Sequence, residues 1–208
     1  MDNSVIVVGI GPGSPDYLVP AGKKAIEQAR ILVGSRRALD EFARCGVETC
    51  VIDRDIAGVL AFIEAKSKET AVVVMVSGDP GFFSLMDALR RRMPAEHLQV
   101  IPGISSAQMA FARISEPWHG AELISMHGRV ASDEELAYRP GKKLGILTDS
   151  QHNPAAIARS LLAANWPADT KAWLCTRLSY PDEKLLSLSL GEAAEIQGFE
   201  HSVMVVLA

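Results

Sequence analysis

The sequence predicts an α/β protein of two α/β domains, the first built on a parallel sheet and the second on a mixed sheet. Three observations carry this. Short apolar runs alternate with helical patterns from Val5 to Ile101, and strands that alternate with helices make a parallel sheet. One of these runs, Val72 to Val76, is apolar, mostly β-branched and free of alternation, as a strand covered on both faces should be. The pattern then breaks at Glu116, Pro117, Trp118, His119 and Gly120, and beyond it several strand-like runs share a single convincing helix. The expected domains are therefore residues 1–115 and 116–208.

Taken in order, Val5 to Val8 is a strand that runs into Gly9, Ile10, Gly11, Pro12, Gly13, Ser14 and Pro15. Ala21 to Arg30 is helical, Ile31 to Val33 a short strand and Arg36 to Arg44 a second helix. Glu48 to Ile52 is a strand and Ile56 to Lys66 a helix. The run Val72 to Val76 ends in Ser77, Gly78, Asp79, Pro80 and Gly81, small residues that let a ligand approach the backbone, with a proline that forbids further strand pairing. Phe82 to Arg92 follows as a helix with Phe82, Leu85, Met86 and Leu89 on one face. The strand Leu98 to Ile101 leads into Pro102, Gly103, Ile104, Ser105 and Ser106, and Ser105 to Ile114 is helical. In the second half Leu123 to Met126, Leu144 to Leu147, Ala172 to Cys175, Leu185 to Leu188 and Val203 to Leu207 read as strands. Pro154 to Ala164 is the helix among them, with Asn153 as its cap.

Three strands thus end in glycine and proline turns that carry hydroxyl or carboxylate groups. Side by side in one parallel sheet they would line one cleft, at the edge where open α/β sheets bind ligands. Asp79 taken alone reads equally well as a helix cap.

Composition narrows the function classes. A chain of 208 residues with 48% apolar content can build a proper core. Its apolar runs fall far short of the ~20 residues that span a bilayer. The start, MDNSVIVV, lacks the order of a secretory signal, so a cytoplasmic protein with no membrane partner is expected. Cys45, Cys50 and Cys175 are an odd number with no metal-ligand spacing, which suggests neither a disulfide framework nor a metal site. With 21 basic against 25 acidic residues and no basic run longer than Arg90, Arg91 and Arg92, nucleic acid is not an expected partner.

The first loop invites a dinucleotide reading, since Gly9 and Gly11 follow a strand and Ser35, Arg36 and Arg37 follow the next one. The chemistry argues against an NADP-dependent oxidoreductase. The third glycine position is Ser14, Pro12 removes an amide donor, and Pro15 and Pro20 delay the helix whose amino terminus should meet the pyrophosphate.

The segments GIGPGSPDYL, VSGDPGFF and IPGISS resemble, in order and spacing, those of the tetrapyrrole methylases, S-adenosylmethionine-dependent enzymes of sirohaem and cobalamin synthesis. PWHGAELISMHGR, LTDSQHNPAAIARSL and RLSYPDEKLLSLSL are similar to the branch that methylates precorrin-6Y or cobalt-precorrin-7. The resemblance covers the whole chain and implies two α/β domains with a cleft between them, S-adenosylmethionine as cofactor with S-adenosylhomocysteine as product, and a homodimer. It also implies a corrin-ring precursor as substrate, methylated at C5. A fused or separate partner that methylates C15 and decarboxylates the ring belongs to the same picture. Other tetrapyrrole carbons, ribosomal RNA ribose and the diphthamide precursor are the alternatives within the family.

By resemblance, Pro12, Ser77, Gly78, Asp79, Phe82, Ser105 and Ser106 match cofactor-contacting positions, and Thr148 and Asp149 stand after a strand in the second domain where many relatives have a methionine-glycine pair. Phe82 reads alternatively as core packing. A substrate bearing many carboxylates calls for guanidinium groups, for which Arg36, Arg37, Arg113, Arg129 and Arg139 are candidates. Arg129 is favoured because it follows a strand beside His127 and Gly128. His127 has the setting of an acid or base, or alternatively of a loop histidine that orders its neighbours.

Overall fold

A computed structural model describes residues 4–126, 128–199 and 202–208. It divides into two units, Met1–Ser105 and Ser106–Ala208.

In the first unit, β1 (Val5–Gly9), β2 (Ile31–Gly34), β3 (Glu48–Val51), β4 (Val72–Val76) and β5 (Leu98–Ile101) form an all-parallel sheet in the order β3-β2-β4-β1-β5. The connections run through α1 (Pro20–Gln28), α2 (Arg36–Phe42), α3 (Ile56–Ser67) and α4 (Met86–Arg92). All five residues of β4 are buried, and the two-residue strand period explains why none can be polar. Val72, Val74 and Val76 pack with Val59, Leu60 and Ile63 of α3 and Leu89 of α4. Val73 and Met75 point the other way and pack with Ile26 of α1 and Ala38 and Leu39 of α2. Covered on both faces, β4 anchors two apolar layers at once.

The second unit holds β6 (Ala121–Ser125), β7 (Lys143–Leu147), β8 (Lys171–Thr176), β9 (Lys184–Ser189) and β10 (Val203–Leu207), in the order β6-β7-β10-β8-β9. β6 and β7 pair in parallel and the other neighbours antiparallel, which is the mixed sheet expected. Ile124, Ile146, Leu174 and Met204 on one face meet Ile157, Ala158 and Leu161 of α7 (Pro154–Ala163) and Leu190 and Ala193 of α8 (Leu190–Ala193). Against the sheet lies also α5 (Ser106–Arg113), in contact with β7 and β10. Gly145 makes room for it: a Cβ there would stand 3.0 Å from Cε2 of the fully buried Phe111.

Four elements differ from expectation, each for a local reason. Helix α5 belongs with the second unit, so the chain divides ten residues before the break at Glu116. Helix α4 begins at Met86 and not at Phe82. The Asp79 carboxylate takes the Gly81 N–H (2.8 Å), the Ser84 hydroxyl donates to the Pro80 carbonyl (2.5 Å) and accepts from the Met86 N–H (3.1 Å), and these side chains hold the intervening chain in turns. Two four-residue helices, α6 (Asp133–Leu136) and α8, were not expected; each starts with a capping box, Ser132 with Glu135 and Ser189 with Glu192.

Candidate active site

Because β1 lies between β4 and β5, its end must turn in the space between theirs. The ladder first continues past the strands, with the Ile10 N–H donating to the Val76 carbonyl at 2.9 Å. Gly11 and Gly78 then exchange a pair of backbone bonds, Gly78 N–H to Gly11 O at 2.8 Å and Gly11 N–H to Gly78 O at 3.3 Å. Both glycines sit in the left-handed region, at φ +79° and +69°. A Cβ on Gly9 would stand 2.6 Å from the Gly78 carbonyl oxygen, 2.7 Å from the Gly103 nitrogen and 2.8 Å from the Pro80 ring. A Cβ on Gly103 would run into Gly78 and Gly9 in turn. Asp79 closes the arrangement, one carboxylate oxygen on the Gly81 N–H and the other on the Gly103 N–H at 3.0 Å. The three turns are therefore one joined cluster, as their shared sheet edge predicts.

This cluster brings together Pro12, Ser77, Gly78 and Asp79. Ser77 is exposed, Pro12 half-buried and Gly78 buried. Asp79 is neither a helix cap nor an open carboxylate, since its two oxygens tie the β4 turn to the β5 turn. Phe82 is half-buried and, among the described residues, joins neither hydrophobic cluster of its unit. It stands edge-on to the 49% exposed Phe83, ring centres 4.8 Å apart. Ser105 is buried and Ser106 opens α5. Arg37 supports the first loop by donating to the Gly13 carbonyl at 3.3 Å.

In the second unit the ends of the parallel pair β6 and β7 carry the other candidates. His127 lies outside the described residues. Gly128, at φ +71°, donates its N–H to Asp149 at 2.8 Å. Arg129 makes a two-pronged pair with Glu135, at 2.7 and 3.3 Å, and Glu135 also accepts the Ser132 N–H at 2.7 Å. Hydrogen bonding from Arg129 first, and from Ser132 second, holds the Glu135 carboxyl down at about 2. Thr148 is buried, its hydroxyl donating to the Ser202 carbonyl at 2.9 Å and accepting the Ser202 N–H at 2.7 Å. It fastens β7 to β10.

Three of the other four arginine candidates are engaged as well, Arg113 with Glu183 at 2.6 Å, Arg139 with Glu122, and Arg37 with Glu41 at 3.3 Å, while Arg36 is exposed at the start of α2. Sequence reading gave no role to two charged groups of structural weight. Asp149 gathers three backbone N–H groups, and Lys142, its side chain 2% exposed, donates to the Glu135 and Ala137 carbonyls at the end of α6. The signal for Asp149 was present in the Asp-Ser-Gln-His-Asn-Pro stretch, a short carboxylate just ahead of a capped helix. Among the described residues, no group of His, Cys, Asp and Glu could hold a metal ion, and no helix is long and apolar enough to cross a membrane.

Comparison with known proteins follows the same lines. The family model for Tetrapyrrole (Corrin/Porphyrin) Methylases matches residues 4–194. A cobalt-precorrin-7 C(5)-methyltransferase of Salmonella typhimurium is 36% identical over 157 residues, 76% of this chain and 77% of that protein. A probable cobalt-precorrin-7 C(5)-methyltransferase of Methanocaldococcus jannaschii is 30% identical over 195 residues, 91% of each chain. The fold matches that of uroporphyrin-III C-methyl transferase from Thermus thermophilus complexed with S-adenyl homocysteine, with a TM-score of 0.75, 21% identity and coverage of 98% of this chain and 91% of that one.

Two outcomes are expected from this geometry. Gly9→Ala forces a Cβ against backbone atoms that cannot swing away and should cost about 1–3 kcal/mol, read as a lower denaturant midpoint. In Gly191→Ala the new Cβ would stand 3.4 Å from the Ala168 carbonyl oxygen, an ordinary contact, and the midpoint should not fall. For the Arg129–Glu135 pair, the carboxyl is depressed on folding, so its contribution is full above the ordinary glutamate value of roughly 4.3 and is lost as pH falls towards about 2. The thermal midpoints of wild type and Glu135→Gln should differ at pH 6, draw together below pH ~4 and converge towards about 2; a gap that ignores pH would show that the ionised carboxylate is not its source.

Proposed function

The chain belongs to the tetrapyrrole (corrin/porphyrin) methylases, and on that premise we propose that it transfers the methyl group of S-adenosylmethionine to C5 of a corrin precursor, cobalt-precorrin-7 or precorrin-6Y. The observation that carries the substrate is the 36% identity to a relative named for that reaction, over about three quarters of each chain. S-adenosylmethionine, when bound, supplies a methyl group made electrophilic by its sulfonium, and this leaves the protein mainly a task of alignment. The joined turns suit that task. With Asp79 occupied by two backbone N–H groups, the carboxylate shapes the cradle, while the exposed Ser77 and the Phe82 ring outside the core face a ligand. Pro12, Gly78, Ser105 and Ser106 complete the set that would hold the cofactor. Thr148 contributes by position only, its hydroxyl being fastened to Ser202. Arg129 meets a ring carboxylate, and His127 takes or relays the proton that the ring carbon loses as the new carbon–carbon bond forms and the sulfur–methyl bond breaks. The family resemblance also supports a homodimer, which light scattering at micromolar concentration tests.

The deciding experiment is mass spectrometry and NMR of the product from a defined corrin precursor and S-adenosylmethionine, with and without cobalt. A methyl group at C5 is expected, and transfer to another carbon or none would overturn the reading. Asp79→Ala strands two backbone N–H groups at about 1–3 kcal/mol each and should weaken S-adenosylmethionine binding in calorimetry while the protein stays folded. Unchanged affinity would mean that the clasp does not shape the cradle. Arg129→Ala should raise KM for the corrin precursor with S-adenosylmethionine affinity retained, and His127→Ala should lower turnover by about 10² to 10⁴.

A further inference from the structure

We infer that Asp149 is a positioning residue of the reaction: it fixes the turn at Gly128 and so sets where Arg129 is presented to the corrin substrate. The inference rests on the substrate reading above and assigns a role to a residue that stands where many relatives have a glycine and that the resemblance leaves without one.

The geometry is specific to this carboxylate. Its Oδ1 accepts the N–H groups of Gln151 at 2.8 Å and His152 at 2.6 Å, closing a turn at the end of β7. Its Oδ2 reaches across to the neighbouring strand end and accepts the Gly128 N–H at 2.8 Å. The His152 ring nitrogen Nδ1 lies 3.3 Å from Oδ1 and 3.4 Å from Oδ2. Asp149 is 9% exposed, so these bonds are made largely out of water. The Gly128 N–H, the largest influence, and the His152 N–H hold its carboxyl far below the usual range.

Among the described residues, Asp149 is the side chain that holds the Gly128 end of this tether. The β6–β7 ladder closes with the Met126 N–H on the Leu147 carbonyl at 2.9 Å, and Gly128 then turns at φ +71°, with no atom of the described residues beyond its chain neighbours within 4 Å of the position a Cβ would take. A glycine with no side chain and open surroundings is held by its backbone alone. Asp149 supplies that hold, and the next residue is Arg129, whose guanidinium is set by Glu135. Two carboxylates therefore fix two successive residues, one by backbone and one by side chain. A displacement of the guanidinium by an ångström is enough to lose a paired bidentate contact.

Asp149→Asn separates the two halves of the device. One amide oxygen cannot serve donors on both sides: seated on Gln151 and His152, it turns its NH₂ group towards the Gly128 N–H, and the tether is cut while the β7 turn survives. The first measurement is amide hydrogen exchange of Gly128 by NMR in the wild type and in Asp149→Asn. Protection in the wild type and at least tenfold faster exchange in the variant are expected. Free exchange in the wild type overturns the inference whether or not the variant folds. The second is steady-state kinetics with the corrin precursor, where Asp149→Asn should raise KM about tenfold or more while S-adenosylmethionine affinity, measured by calorimetry, stays within twofold. Unchanged KM in an active variant, or an equal loss of cofactor affinity, would refute the positioning role. A wild type that methylates no corrin precursor refutes the substrate reading instead, and the Gly128 exchange comparison still decides whether Asp149 sets the turn.

Discussion

The first unit depends on the absence of Cβ atoms at Gly9 and Gly103. β1 is hydrogen-bonded to β4 on one side and β5 on the other, so the chain leaving β1 has nowhere to go but between the two neighbouring turns. Gly9 and Gly103 let the three backbones meet at distances that a side chain would forbid, and Gly78 turns between them at φ +69°. Once they meet, donors and acceptors released at the strand ends pair with one another, Gly11 with Gly78 and Gly103 with Asp79. The delayed start of α4 follows from the same packing: Asp79 and Ser84 take N–H groups that a helix would otherwise need, which holds Phe82 and Phe83 out of the helix and beside the turns.

Both sheets solve the problem of their irregular strand ends with a carboxylate. Asp79 joins the turns after β4 and β5, and Asp149 joins those after β6 and β7. Glu135 and Glu192 close their capping boxes, and Glu183 accepts the Ser179 N–H at 2.6 Å as well as Arg113. Such bonds favour the charged form, and they hold the carboxyls of Glu135, Asp149 and Glu192 below their ordinary range. Part of the acidic excess, 25 against 21, is thus internal scaffolding and says little about the charge of a partner.

Strands were legible in the sequence as short, mostly apolar runs: the limits of β4, β5 and β10 coincide with Val72 to Val76, Leu98 to Ile101 and Val203 to Leu207, although burial demands apolar residues only in β4 and β10, β5 being half-buried to exposed. The convergence of the three turns was legible too, because parallel neighbours end on the same edge. What escaped were features too short for periodicity to mark, α6 and α8, although the Ser-x-x-Glu spacing announces both. The unit boundary escaped because the apolar face of α5, with Ala107, Met109, Ala110 and Phe111 buried, does not say which sheet it covers; Gly145, the notch that receives Phe111, does. The residue type of Arg129 was readable but its partner was not, since Glu135 lies on a helix that the pattern had hidden.

That partner changes how a substrate with many carboxylates can be recognised. Four of the five arginine candidates are held by an acidic side chain, and Lys142, buried beneath α6, lies 3.2 Å from Glu122. Pairing of this kind cancels most of the long-range field, so excess positive charge is not what selects the ring. What it provides is order. Arg129, bound to Glu135, has already lost the rotamer freedom that an exposed arginine would lose on binding, roughly 1.5–2 kcal/mol for a long side chain. On the proposed reading, a ring carboxylate would meet a guanidinium of fixed position and compete or share with Glu135 for its donors. Selection would then fall on the placement of carboxylates around the ring, the property that distinguishes one corrin precursor from another, and the precision of the Gly128 turn would become a determinant of specificity.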